Sequence, residues 1–337
     1  MSKHPTIRTL GVLSLIICLM TLFVFGCSSP QEPSSEQETH EDWPRSIVIA
    51  SGPTGGPWYP TMVKCSEILM REIPGLTVNV IEGGAESNIR LVDEGVDAQI
   101  GMTSSAILHP AIEGTGDYKA DNITAIGAVL TSYAQIGVFA DSSIYSINDL
   151  ANKRVAPGKH GFISEVIFSS VLDAYGFTYD DIRNNGGSVS YVAWSEYASL
   201  MKDNHIDAFC LCGEIPHSSI MEIEASKPVR LLPIEPDKLQ AVLDKYPYLF
   251  ATEMPAGIYE GQKEPVTLLG YSGVLIANKS LPEDFLAKII EVLVEHKDEI
   301  VNELPFVDLL SWERIMSGLT DDVMSPEVLK LINSKKK

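Results

Sequence analysis

β-rich runs alternate with helical runs along most of this chain, and that alternation limits the folds open to it. Ser46 to Ala50 is β-rich, Thr61 to Glu72 has helical spacing and stops before Pro74-Gly75, and Leu76 to Glu82 alternates as a strand. Glu86 to Glu94 reads as a helix closed by Gly95, and Asp97 to Met102 as a strand. The rhythm continues with strands at Ala134–Ala140, Arg154–Ala156, Val189–Val192, Ile206–Cys212 and Val229–Ile234. Between them lie a helical turn at Ile147–Leu150, a helix at Ser164–Tyr175 closed by Gly176, and one at Ser195–Asp203 capped by Ser195. A β-rich return at Val266–Asn278 precedes a long amphipathic helix, Glu283–Glu303, and a further one, Pro305–Ser317. Such alternation predicts β/α lobes, and the roughly 295 residues from Trp43 onward suffice for two.

The N-terminus points to a compartment. Lys3 and Arg8 precede an uncharged, mostly apolar stretch, Leu10 to Gly26, which ends in Val24-Phe25-Gly26-Cys27. A basic start, a short apolar core and small residues before a cut predict a signal peptide. The cysteine after Gly26 makes residues 1–26 a lipoprotein signal, with Cys27 acylated as the mature N-terminus. The competing reading is a membrane helix, but the 17 positions from Leu10 to Gly26 fall short of the roughly 20 needed to span hydrocarbon. Two or more acyl chains would tether the protein stably to a membrane. Ser28 to Asp42 is rich in Ser, Pro, Glu and Gln and lacks aliphatic residues, so 27–44 reads as a lipidated tether. The folded part is expected outside the cytoplasm.

Charge and cysteines exclude other classes. The chain carries −20, and residues 1–26 hold two positive charges and no negative ones, leaving the mature protein near −22. Nucleic acid is therefore not an expected partner, since that interaction uses basic patches. Cys210 and Cys212 would share one face of a strand, and with only His205 and His217 nearby they read as buried small hydrophobes rather than a metal site. Neither a Gly-x-Ser-x-Gly elbow nor a His-Glu-x-x-His pair is present, so no enzyme, metal or cofactor is expected.

Ligands of open α/β sheets sit in crevices at strand C-terminal ends. Four Gly-rich or polar loops lie there. The first, Ser51-Gly52-Pro53-Thr54-Gly55-Gly56-Pro57-Trp58-Tyr59-Pro60, opens a helix and offers Ser51, Gly55, Gly56, Trp58 and Tyr59. The second, Gly83 to Asn88, offers Asn88; the third, Gly101 to Ser105, offers Thr103 and Ser104. The fourth, Gly158 to Ser164, offers His160 and Ser164. Glu214 follows Gly213 in the exit loop of the Cys-rich strand.

The run Ile49 to Pro60, Gly83-Gly84-x-x-x-Asn88 and Asp97 to Ser105 resembles the TAXI family, the solute-binding subunits of TRAP transporters. Asp149-Leu150-x-x-Lys153-Arg154-Val155, Ala174 to Thr178, Ile206-Asp207-Ala208-Phe209 through Pro216, and Tyr246-Pro247-Tyr248 continue the resemblance. So do Ile258-Tyr259-x-Gly261-Gln262 and Leu281-Pro282-Glu283-Asp284. It implies an α/β, two-lobed periplasmic-binding-protein-like fold (type II-like) with a ligand cleft between the lobes. Lobe I would be 45–133 and 267–337, and lobe II 134–266. It also implies a small organic solute, an amino acid or organic acid, and delivery to a sodium-coupled TRAP permease. The alternatives are a ligand-sensing subunit for a membrane signalling protein, or the receptor of an ATP-driven importer. The chain departs from that pattern at Phe162 and Ile163, where the family has small or hydroxylated residues, at Ser105, where it often has Asp, and at Glu214. These changes predict a less anionic, partly apolar or amine-bearing solute, with Trp58 and Tyr59 available for cation–π contact.

Overall fold

The computed structural model describes residues 42–54, 56–116 and 118–336. Its strands are β1 (Ser46–Ala50), β2 (Thr77–Ile81), β3 (Ile100–Ser104), β4 (Ile123–Phe139), β5 (Arg154–Ala156), β6 (Ser188–Val189), β7 (Ala208–Gly213), β8 (Val229–Leu231), β9 (Leu249–Met254) and β10 (Val266–Asn278). The helices are α1 (Trp58–Glu72), α2 (Ala85–Glu94), α3 (Ser105–Glu113), α4 (Ile163–Ala174), α5 (Tyr179–Asn184), α6 (Tyr197–Lys202), α7 (Ser218–Glu224), α8 (Pro236–Lys245), α9 (Glu283–Glu295), α10 (Lys297–Glu303) and α11 (Pro326–Lys335).

The sheet runs β2-β1-β3-β10-β4-β7-β5-β6, with β8 paired to β4 and β9 to β10. β1 lies parallel to both β2 and β3, and β5 lies parallel to both β6 and β7. Helices between parallel strands follow from the crossover such pairs require. The antiparallel pair β4 and β10 carries the chain between these two parallel groups. β10 pairs β3 through Gly273–Ala277 and β9 through Val266–Tyr271, while β4 pairs β7 through Tyr133–Val138. The fold is thus two-lobed and α/β, of the periplasmic-binding-protein kind.

The apolar interior divides accordingly. One cluster gathers Ile47, Ile49, Met62, Ile68, Ile100 and Met102 with Val274, Ile276, Phe285, Ile289 and Ile332. Two others collect residues from the middle of the chain, among them Ile136, Val138, Phe168, Val171, Cys210 and Cys212, and Tyr197, Phe209, Leu211, Met254 and Tyr259. Cys65, Cys210 and Cys212 are free and buried, and burial pushes the Cys65 thiol up to about 12.

Several elements differ from their sequence reading. β4 begins at Ile123, not Ala134, because its first half is buried almost throughout and shows no alternation. α3 starts directly after β3, where the sequence suggested only a loop. The single helix expected over Glu283–Glu303 is two, meeting at His296, whose ring Nδ1 lies 3.0 Å from the Val292 carbonyl. Pro305 to Ser317 forms turns rather than a helix, and the segment after Ser195 begins as a 3-10 turn, Trp194–Glu196, without a Ser195 cap. The signal peptide, Cys27 and most of the tether lie outside the described residues. No helix of the described residues is long and apolar enough to cross a membrane.

Candidate functional site

The C-terminal ends of β1 and β3 are tied together by one buried amide. Asn88 Nδ2 donates to the carbonyls of Ser51 (2.6 Å), Met102 (2.7 Å) and Ala50 (3.1 Å), and its Oδ1 accepts from Gly84 N–H at 3.2 Å. Thr103 Oγ1 donates to the Ala85 carbonyl at 2.8 Å. The start of α2 is thereby fixed against both strand ends. Gly83 has to be glycine here, since a Cβ would fall 2.0 Å from Asn88 Oδ1. Asn88 and Thr103, singled out in the sequence as contacts, are occupied by the backbone around them.

Two hydroxyls beside them are not. Ser51 and Ser104 are 0% and 4% exposed, and neither Oγ has a hydrogen-bond partner. Buried polar atoms in native proteins nearly always have partners. Ser51 follows β1, and Ser104 is the residue preceding α3. The helices that open at these strand ends lack side-chain caps: α1 after Pro57, α2 after Gly84 and α3 after Ser104. Neither α1 nor α3 carries an acid in its first turn. Free N–H groups and the positive end of each helix dipole are left for an anion. Trp58 and Tyr59 open α1 half-buried, and Trp58 backs onto Gly52, where a Cβ would lie 3.0 Å from its own. Gly56 N–H closes a turn onto the Pro53 carbonyl at 2.9 Å, and Thr54 N–H donates to Glu82 at 2.8 Å, holding that carboxyl below its usual range. Gly55 lies outside the described residues.

The fourth loop forms an aromatic corner. Ser164, fully buried, accepts a hydrogen bond from Trp194 Nε1–H at 3.2 Å. Phe162 meets Trp194 edge-on at 5.9 Å between ring centroids, and Trp194 meets His217 edge-on at 5.7 Å. α4 also starts without a side-chain cap. His160 stands at the exposed rim, stacked on Tyr191 at 3.5 Å. Beyond His217, Tyr259 OH accepts from His217 N–H (2.9 Å) and donates to Gln135 Oε1 (2.5 Å), while Gln135 Nε2 donates to the Glu214 carbonyl (3.3 Å). Burial pushes His217 below its ordinary value, against the opposing charge of Glu214. Glu214 is half-buried and also raises the neighbouring phenols of Tyr259 and Tyr271, which burial already raises. Ser105 is a connector: its Oγ donates to the Tyr248 carbonyl at 2.9 Å and accepts from Ser272 N–H at 3.0 Å.

The structure therefore gathers Ser51, Asn88, Thr103 and Ser104 in one cluster, and links Ser164 to the Glu214 loop through Trp194 and His217. Sequence reasoning missed Trp194, His217, Tyr259 and Gln135 as members of that corner; Tyr259 alone stood inside a recognised motif. Between α2 and α3 on one side and the start of α4 with Tyr248 on the other lies a cavity of about 280 Å³. Among the described residues no cluster of His, Cys, Asp or Glu could hold a metal ion.

Comparison with known proteins places this geometry. Residues 49–321 match the model of the NMT1-like family. Among solved structures, the periplasmic aliphatic sulphonate binding protein SsuA of Escherichia coli is similar at a TM-score of 0.52, with 14% identity over 86% of this chain and 83% of that one. The L-cystine solute receptor of Neisseria gonorrhoeae gives 0.46, with 14% identity over 78% of this chain and 92% of that one. The substrate binding protein of an amino acid ABC transporter gives 0.42, with 11% identity over 77% and 98%.

These findings overturn the TAXI assignment and, with it, the sodium-coupled TRAP permease as function and partner. The matching family is the NMT1-like one. The residues quoted for TAXI are mainly strand ends and helix starts, features of the two-lobed α/β fold itself. The reading of the chain as no enzyme agrees with this family assignment. From Ile49 to Asp321, through both parallel strand groups and the long strands joining them, the chain belongs to the NMT1-like family.

Proposed function

We propose that this protein is an extracytoplasmic receptor that closes on a small organic acid and delivers it to an ABC-type, ATP-driven importer. The observation that carries the reading is the pair of buried, unpartnered hydroxyls of Ser51 and Ser104 beside uncapped helix starts. An acid group placed there would accept from both hydroxyls and from main-chain N–H groups, and the helix dipoles favour its charge. Trp58 and Tyr59 would wall that side, and Ser164 with Trp194 would close the other. Asn88 and Thr103 would act through the backbone they hold, His160 at the rim, and Glu214 as a brake on solutes with a second acid group near it.

The lobes in this reading are 45–133 with 267–337, and 134–266, moving about β4 and β10. A solute would shift the open–closed equilibrium by its differential affinity for the closed form. Residues 1–26 would be removed and Cys27 acylated, anchoring the receptor to the membrane surface. Loss of palmitate labelling and of membrane fractionation in Cys27→Ala tests the anchor.

Calorimetry against small carboxylates, sulfonates and amines tests the solute class. Acids should bind, and Ser104→Ala should weaken them about tenfold, the loss of one charge-assisted hydrogen bond. Binding of amines alone would overturn the acid reading. Uptake that survives a sodium ionophore but stops on ATP depletion would support the importer class, and the reverse would refute it.

A further inference from the structure

We propose that the cavity between α3 and α4 houses the apolar body of the solute, so that the ligand is an amphipathic organic acid with roughly six to ten carbons beyond its acid group. The inference rests on the receptor reading and adds a substrate class to it. The cavity, about 280 Å³, is walled mainly by Ile89, Ile107 and Pro110 on one side and Ile163, Val166 and Tyr248 on the other. An apolar cavity of about 150 Å³ already admits benzene, so this one has room for a longer chain or a substituted ring.

Glu86 and Tyr118 in its lining are already engaged. Glu86 is paired with Arg90 at 3.0 Å, Arg90 lies over the Tyr118 ring at 4.4 Å, and Tyr118 OH donates to Asp93 at 2.6 Å. No polar group of a solute is needed to complete them. The unpartnered hydroxyl of Ser104 lies next along the chain instead: Ala106, which lines the cavity, is two residues beyond it. On the facing side Ile163 immediately precedes Ser164. Acid site and apolar cavity therefore adjoin at the starts of α3 and α4. Val166, a wall of the cavity, is 37% exposed, and Phe162, next to Ile163, is 41% exposed.

The test is calorimetric titration of the full-length protein with unbranched carboxylates from acetate to decanoate, and with the matching sulfonates. Burial of each methylene should raise affinity about three- to fourfold until the cavity is full, after which affinity should fall. Ile107→Trp, which fills the cavity, should weaken octanoate tenfold or more and move the optimum to shorter chains. Ser104→Ala should weaken every length by a common factor. Acids that bind with an affinity independent of length would overturn the apolar subsite and leave the receptor reading standing. Failure of acids of every length to bind would overturn both.

Discussion

Asn88 meets Ser51 through a 2.6 Å hydrogen bond from its amide to the Ser51 carbonyl, and the same nitrogen reaches Met102 and Ala50 in the two neighbouring strands. Both hydrogens of one side chain are shared among three buried carbonyls, and its oxygen takes the Gly84 N–H. Asn88→Ala leaves these groups without a partner, at an expected cost of about 2–4 kcal/mol. Asn88→Asp should be at least as damaging, because an ionised carboxylate donates nothing to three carbonyl oxygens. Urea denaturation of both variants checks this. A loss under about 1 kcal/mol in each would show that the strand ends hold without the clamp.

Ser51 and Ser104 should behave oppositely. Their hydroxyls are enclosed without a partner, which costs free energy in the solute-free protein. Replacing either by Ala should leave Tm unchanged or raise it slightly while weakening solute binding. Thermal melts with and without solute separate the two effects. Equal loss of stability in both conditions would mean that the hydroxyls serve the fold.

The boundaries of β1 and β10 were legible because each begins and ends at a sharp change of residue type. The first half of β4 was not, since Ile123 to Ser132 is buried on both faces and shows no period of two. The site divides the same way. Gly83-Gly84 and Asn88 announce a tight loop opening a helix, but only tertiary contacts decide that Asn88 turns toward the strand ends instead of a solute. Trp194 opens a three-residue 3-10 turn shortly after a two-residue strand, elements too short to leave a periodic signal. Its bond to Ser164, 30 positions earlier, could not be anticipated from spacing. The family assignment erred for a related reason: strand-end glycines and hydroxyls describe the architecture and not one family.

Two buried histidines predict a pH dependence. Burial lowers both His109 and His217 from the ordinary 6.5, outweighing Asp322 and Glu113 near the first and Glu214 near the second. Between 6.5 and the lower folded values the unfolded chain binds more protons, so this contribution to stability falls as pH drops through that window. Carboxylates add their loss further down, Glu299 among them, held at about 2 by Arg71 and Lys64. Urea stability should therefore decline from pH 7.5 to 5.5, before carboxylates titrate, and His217→Gln should flatten the slope. A level profile in the wild-type protein over that range would contradict the burial argument.

Gly158 and Gly161 separate strain from crowding in the fourth loop. Both have positive φ, +104° and +77°, where L side chains are strained. A Cβ at Gly161 would meet nothing within 4 Å, whereas at Gly158 it would fall 2.4 Å from Ser164 Oγ and 3.3 Å from Trp194 Nε1. Gly161→Ala should cost only the backbone term, about 1 kcal/mol. Gly158→Ala adds displacement of Ser164 and Trp194, so it should cost about 1–3 kcal/mol more and also weaken binding. The informative comparison is the affinity of the two variants for one acid, each measured where it is fully folded. If both bind like the wild-type protein, the Ser164–Trp194 corner is scaffolding; if only Gly158→Ala loses affinity, that corner closes on the solute.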